Sequence, residues 1–341
     1  MHSLADTLAG SPELFPLAWD PATDQVTLIR LGEADYRQTS FLDGRILSPL
    51  TPRRLISWQD LAAATAATKL KEAESYIFHI GHVGSTLLSR LLGIHPQVLG
   101  LREPAILRSL AQLDSAPHGH RPVSDADARL SVVLKLLSRT FRPEQHAIVK
   151  ATSFVSELAT PILSRVSAAK AIFVFAPAET YLATILGAPN SPGEAHALAG
   201  SRLIRLHRRI GEPRWNLAAL SAGQIVAMCW ACEMTSLAAA AEVAGKRIIW
   251  LEVDALLQAP ADALTSAFRH FGVGADKRQI DDIVSGPELR RYAKAPEHSY
   301  DASLRNDVLE QARREQAEEI FGGLRWLETA DLPMLARFPL R

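Results

Sequence analysis

Short apolar runs separated by stretches of helical periodicity dominate the chain from Ser75 onward. Four of them, Tyr76–Ile80, Ala147–Lys150, Ala171–Phe175 and Arg247–Leu251, are β-branched or aromatic; Gln97–Leu101 is a weaker fifth. Strands that alternate with helices join through right-handed crossovers. The expected fold class is therefore α/β, a parallel β-sheet with helices on both faces. Ser124-Asp-Ala-Asp127 has a capping-box pattern and opens a helix expected to reach Thr140. Ser221 to Ala244 reads as a long alanine-rich helix closed by Gly245. Upstream, Gln25–Arg30 alternates like a strand, and Ser57-Trp-Gln-Asp60 opens a helix expected to run to about Lys71. After Gly286-Pro287 the chain turns polar, with a surface loop over Arg290–Asp301 and a charged helix over Ala302–Glu319. The expected organisation is an N-terminal extension (1–74), an α/β domain (75–285), and a C-terminal loop and helix packed on the core (286–341).

The first strong run leads straight into chemistry. Tyr76-Ile-Phe-His-Ile-Gly-His-Val-Gly-Ser-Thr-Leu-Leu places a buried strand before Gly81 and a helix from about Ser85, with Leu87, Leu88, Leu91 and Leu92 at helical spacing. Glycines at 81 and 84 allow tight turning, and the amides of Gly84, Ser85 and Thr86 would converge where the helix dipole favours an anion. A Ser/Thr-capped helix after any α/β strand is the plain structural alternative. Two residues separate the glycines and no lysine follows Gly84, so the NTP-binding pattern is absent. The dinucleotide fingerprint is absent too.

Composition narrows the setting. With 341 residues and a formal net charge of zero, the chain has material for a large core but no global field for polyanions, so nucleic acid and acidic membranes are not expected partners. Arginines cluster at Arg202–Arg209 and at Arg290–Arg291, where a solvated face is the bland expectation. Two cysteines, Cys229 and Cys232, provide no disulfide framework, and their place inside an alanine-rich helix argues against redox chemistry. His118 and His120 flank Gly119 in a polar loop, where solvation is expected, and no ligand spacing marks a metal. The start lacks a secretory pattern, and a cytoplasmic protein is expected. Oligomeric state is not legible.

The stretch after Tyr76 resembles the 5′-phosphosulfate loop of sulfotransferases. Gly84, Ser85, Thr86 and Leu88 match that family's Gly, Thr, Thr and Leu, while His82 stands at its basic position and Val83 replaces a serine. The resemblance covers about residues 75 to 300 and implies a sulfotransferase-like P-loop fold. It further implies 3′-phosphoadenosine-5′-phosphosulfate (PAPS) as donor, and an unidentified hydroxyl or amine acceptor. By the same resemblance Gly81, His82, Val83, Gly84, Ser85 and Thr86 hold the donor. Lys150, ending its strand, contacts it; Glu103 is the general base; and Thr184 maps near the serine that meets the 3′-phosphate. Phe175 occupies the family's arginine position before Pro177, which removes a contact to the 3′-phosphate. Arg202, Arg205, Arg209, Arg290, Arg291 and Lys294 are the possible replacements, and the sequence does not choose among them.

Two other readings stay open. A small-molecule kinase with an unusual P-loop would require Mg²⁺ held by Glu252 or Asp254. A non-catalytic nucleotide-binding relative would keep the fold and lose the chemistry, in keeping with His82 and Phe175.

Overall fold

The computed structural model describes residues 3–114, 125–293 and 302–340. Among the described residues, eight strands form two sheets. β1 (Leu14–Asp20), β2 (Gln25–Arg30) and β3 (Arg53–Ser57) make an antiparallel sheet in the extension. β4 (Ser75–His79), β5 (Val98–Arg102), β6 (His146–Lys150), β7 (Lys170–Phe175) and β8 (Ile248–Glu252) make an all-parallel sheet in the order β5-β6-β4-β7-β8. The expected class is therefore correct, and the weak fifth run is a fully buried strand, β5. Residues of β4 and β5 are buried throughout, as strands covered on both faces must be.

The order carries a functional consequence. β4 sits in the middle, between β6 and β7, and the chain leaves it first towards one edge and later returns to build the other. Such a switch of direction opens a crevice at the carboxyl ends of the strands. Helix Ser85–Ile94 packs on β4, β5 and β6, joined on that side by helix Pro260–Phe271, which reaches β7. Helix Ala222–Ala244 lies among Ala159–Arg165, Ala178–Leu186, Ser191–Ile210 and Ala317–Thr329 and touches β7. A Ser221–Gln224 capping box starts it and Gly245 (φ 55°) stops it. By length and composition it could cross a membrane, but it is mostly buried as a core helix of this fold.

Some boundaries differ from expectation. The helix after Ser57 stops at Ala66, where the Thr68 hydroxyl bonds the Thr65 carbonyl and closes the last turn. The C-terminal helix is two, Ala302–Glu315 and Ala317–Thr329, because Gln316 leaves helical geometry (φ −111°, ψ 20°). The second then buries Ile320, Leu324, Trp326 and Leu327. The helix expected from Ser124 spans Ala126–Leu137; Ser124, His118, His120 and Lys294 lie outside the described residues.

Buried arginines tie the extension to the parallel sheet. Arg139 donates to the carbonyls of Leu8, Ser11 and Leu14, and Arg102 donates to those of Thr39, Tyr36 and Arg37. Leu42 also bonds the Arg102 carbonyl at 2.6 Å and accepts from Ala105 at 3.0 Å. The extension thus grips the turn that carries Glu103.

Candidate active site

β4 ends at His79, and the next five residues form the loop. Gly81 (φ 95°), His82 (φ 55°) and Gly84 (φ 71°) are all left-handed, so the backbone curls on itself and delivers Gly84 as the cap of helix Ser85–Ile94. A side chain at Gly84 would be strained by that φ, and its Cβ would meet Val253 at 3.3 Å. No side chain caps this helix. Among the described residues the amides of Val83, Gly84, Ser85 and Thr86 donate to no protein group. They are the first-turn orphans that a bound anion satisfies. Val83 is buried against the core, and Ser85 and Thr86 are buried at the helix start.

His79 pins the curl. Its Nδ1 accepts from the Gly81 amide (3.0 Å), which leaves Nε2 protonated to donate to the Ala151 carbonyl (2.8 Å). One ring thereby joins the loop after β4 to the segment after β6. The sequence reading missed it, because a histidine inside an apolar strand looks like core; its place just before the loop glycine was the available signal.

Glu103, Lys150 and Thr86 come together. Register pairs Arg102 with Lys150 across β5 and β6, so Glu103, one residue on, meets Lys150 at the strand ends. The Lys150 ammonium, 1% exposed, pairs with Glu103 Oε1 and also donates to Thr86 Oγ1 at 3.2 Å. Lys150 therefore bridges the loop helix and the carboxylate. Glu103 has φ 53°, and among the described residues only Asp24, His82 and Asp331 share such a backbone without being glycine. A left-handed non-glycine residue costs about 1–3 kcal/mol, and such strain gathers at functional sites. His82 lies at the mouth, 4.0 Å from Glu194 and partly exposed.

The other expected contributors are not assembled in the same way. The Thr184 hydroxyl is donated to the Thr180 carbonyl within its own helix. Phe175 is buried between Trp250 (5.6 Å) and Phe338 (5.8 Å), an aromatic seal where a cation was sought. Arg202, Arg205 and Arg209 are not a solvated face: Arg202 and Arg205 are buried, and all three pair with Glu233 or Glu157. Arg290 and Arg291 are exposed, on a segment fastened to the loop helix where Arg90 donates to the Ala293 carbonyl at 2.7 Å. Asp254 is held by Arg305 at 2.7 Å, and burial beside Asp254 raises the Glu252 carboxyl above its usual range. Cys229 and Cys232 are buried and free, and burial pushes the Cys229 thiol up to about 11.

An all-parallel sheet whose central strand feeds a curled glycine loop and an uncapped helix start defines an α/β protein of the P-loop kind. No family model and no curated protein matches the chain. It is similar to solved sulfotransferase structures. One is from Alicyclobacillus acidocaldarius, at 12% identity, 78% of this chain, 99% of that one and TM-score 0.38. Another is STF9 of Mycobacterium avium, at 12% identity, 74% of this chain, 79% of that one and TM-score 0.40. A third is mouse SULT7A1 complexed with PAP, at 12% identity, 80% of this chain, 92% of that one and TM-score 0.35. At this level of similarity no residue role carries over, and the functional reading rests on the chain's own site.

Proposed function

We propose that the protein is a sulfotransferase-like enzyme that takes a sulfuryl group from PAPS and passes it to a small hydroxyl or amine acceptor. The carrying observation is the set of unpartnered amides from Val83 to Thr86 beside the Thr86–Lys150–Glu103 chain. The phosphosulfate end of such a donor suits this cradle. Its 3′-phosphate does not suit Phe175, so exposed Arg290 and Arg291, on the segment tied to the loop helix, are the groups proposed to meet it.

When bound, such a donor supplies an electrophilic sulfuryl group whose bond to phosphate breaks, the phosphate keeping the electron pair. The loop amides and Lys150 then face growing negative charge, and fixed donors in a dry site stabilise it without reorganising. Glu103 Oε1 is engaged by Lys150, and Oε2 is left to take the acceptor's proton. As the ammonium shifts towards the loop, its hold on Glu103 weakens and the carboxylate becomes a better base. His82 at the mouth adds positive charge whenever it is protonated. Free, buried cysteines suit a reducing compartment, and we place the enzyme in the cytoplasm.

Calorimetric titration with 3′,5′-adenosine bisphosphate tests this. The bisphosphate binds saturably without metal, and Gly84→Trp weakens it at least about a hundredfold, because the indole fills the cradle and removes the left-handed turn. Tight ATP binding that requires Mg²⁺, with none of the bisphosphate, would instead establish the kinase reading.

A further inference from the structure

Behind the loop lies a charge cluster that none of these steps uses. Arg202, Arg205 and Arg209 line one face of helix Ser191–Ile210 at positions i, i+3 and i+7. They meet Glu233 of helix Ala222–Ala244 and Glu157 of the turn Ser153–Leu158. Arg202 contacts Glu233 at 2.8 Å, Arg205 contacts Glu233 at 3.2 Å and Glu157 at 2.9 Å, and Arg209 contacts Glu157 at 2.5 Å. Three guanidiniums face two carboxylates, and among the described residues no third carboxylate joins them. Cys229 beside Arg202 does not supply the missing charge, since burial keeps its thiol protonated. Burial pushes the Glu233 carboxyl up, but Arg205 and Arg202 outweigh it and hold it ionised. One positive charge is thus left over in a cluster whose inner members, Arg202, Arg205 and Glu233, are buried, where charge without a partner is costly.

That excess reaches the loop through one hydroxyl. Arg202 Nη2 donates to Ser153 Oγ at 3.4 Å. The same oxygen lies 3.5 Å from where a Cβ on Gly81 would stand. Because Ser153 accepts from Arg202, its own hydrogen is left to donate. We propose that Ser153 is a further binding residue for the phosphate or sulfuryl oxygens held at the loop, and that Arg202 is its positioning residue. The buried excess charge supplies the potential for which other phosphate loops use a lysine. The proposal rests on the reading of residues 81–86 as an anion site.

The test is titration of wild type and variants with inorganic pyrophosphate and, separately, with 3′,5′-adenosine bisphosphate, alongside thermal melting. Glu233→Gln raises the excess charge and tightens pyrophosphate about fivefold although it destabilises the fold; Arg202→Met weakens it about fivefold, and Arg202→Lys falls between. Ser153→Ala, which removes the hydroxyl that accepts from Arg202 but leaves the arginine–glutamate ion pairs in place, weakens it about threefold. A merely structural cluster would lower melting temperature in both Glu233→Gln and Arg202→Met and would not move affinity in opposite directions. Should Arg202→Met fail to fold, Glu233→Gln and Ser153→Ala decide alone. Bisphosphate binding of equal strength in every variant overturns this inference and leaves the PAPS reading standing. The expected order for pyrophosphate, with no bisphosphate binding, upholds it and removes that reading. No binding of either anion to wild type overturns both.

Discussion

Two neighbouring rims of one sheet edge are built from opposite materials. At the ends of β4 and β6, left-handed backbone, orphan amides, two hydroxyls and a lysine–glutamate pair prepare a place for charge. On β7 and β8, one strand over, Phe175 packs edge-on against Trp250 and Phe338, whose own rings meet at a tilt, and Arg337 lies over Trp250 at 5.6 Å. The first rim holds strain and unmet hydrogen bonds, which persist only if a ligand or function repays them. The second is satisfied on its own. The contrast favours the β4/β6 side for the proposed anion site and makes the β7/β8 side a wall.

The largest expected effect comes from removing the lysine that links the two halves of the charged rim. Lys150→Met takes from Glu103 its ion-pair partner and from Thr86 its donor. Turnover falls about 10²–10³-fold by the measure of other lost charge-stabilising donors. Stability falls by about 3 kcal/mol, since a buried pair has lost one member. The double change Lys150→Met with Glu103→Gln restores most of the stability and none of the turnover. Denaturant melts and single-turnover rates on wild type and the two variants check this. Recovery of turnover in the double variant would make the pair structural.

The charged rim was largely legible because its signals are local. A buried strand, two glycines and two hydroxyls within a dozen residues encode a loop irrespective of the remainder of the chain. Lys150 and Glu103 were each legible as strand-end residues, but their contact depends on the register of β5 on β6, which no short pattern specifies. His79 was hidden by its apolar neighbours. Arg202 and Arg205 were expected in solvent because charge usually is; their partner Glu233 sits in an alanine-rich helix some thirty residues on and betrays nothing of its depth. The spacing of the three arginines on one helix face was the overlooked clue. Phe175 was legible as a departure from the resemblance, and the structure supplies its reason: it is part of the wall.

The wall can be broken without touching the proposed anion site. Phe175→Ala removes a ring packed against two others and costs about 3–5 kcal/mol. Affinity for pyrophosphate stays within about twofold, as expected of separate sites without shared partners. A loss comparable to that of Gly84→Trp would mean that the two rims form one site and that the contrast between them is false.

The smallest effect tests how the charged rim is braced from the extension. Glu33 accepts from Arg142 at 2.7 and 2.9 Å, from Arg37 at 2.8 Å and from Gln145 at 2.9 Å. Its helix, Glu33–Gln38, leads directly into the carbonyls that hold Arg102 next to Glu103. The Arg142 bond, against the opposing effect of burial and with help from Arg37 and Gln145, pulls the Glu33 carboxyl down to about 2 from an ordinary 4.5. A carboxyl depressed in the folded state binds protons more readily once unfolded. Its contribution to stability is therefore complete above about pH 4.5 and is lost as pH falls towards about 2. The group is partly exposed, so salt screens the contribution and it stays modest. Urea midpoints of wild type and Glu33→Gln should differ at pH 7 and converge as the pH approaches 2.5, while pyrophosphate affinity at pH 7 changes less than about twofold. A gap that is unchanged by acid would show that Glu33 acts by packing and not by charge, and the extension would then brace the Glu103 turn through the Arg102 side chain and the Leu42 backbone without help from the Glu33 charge.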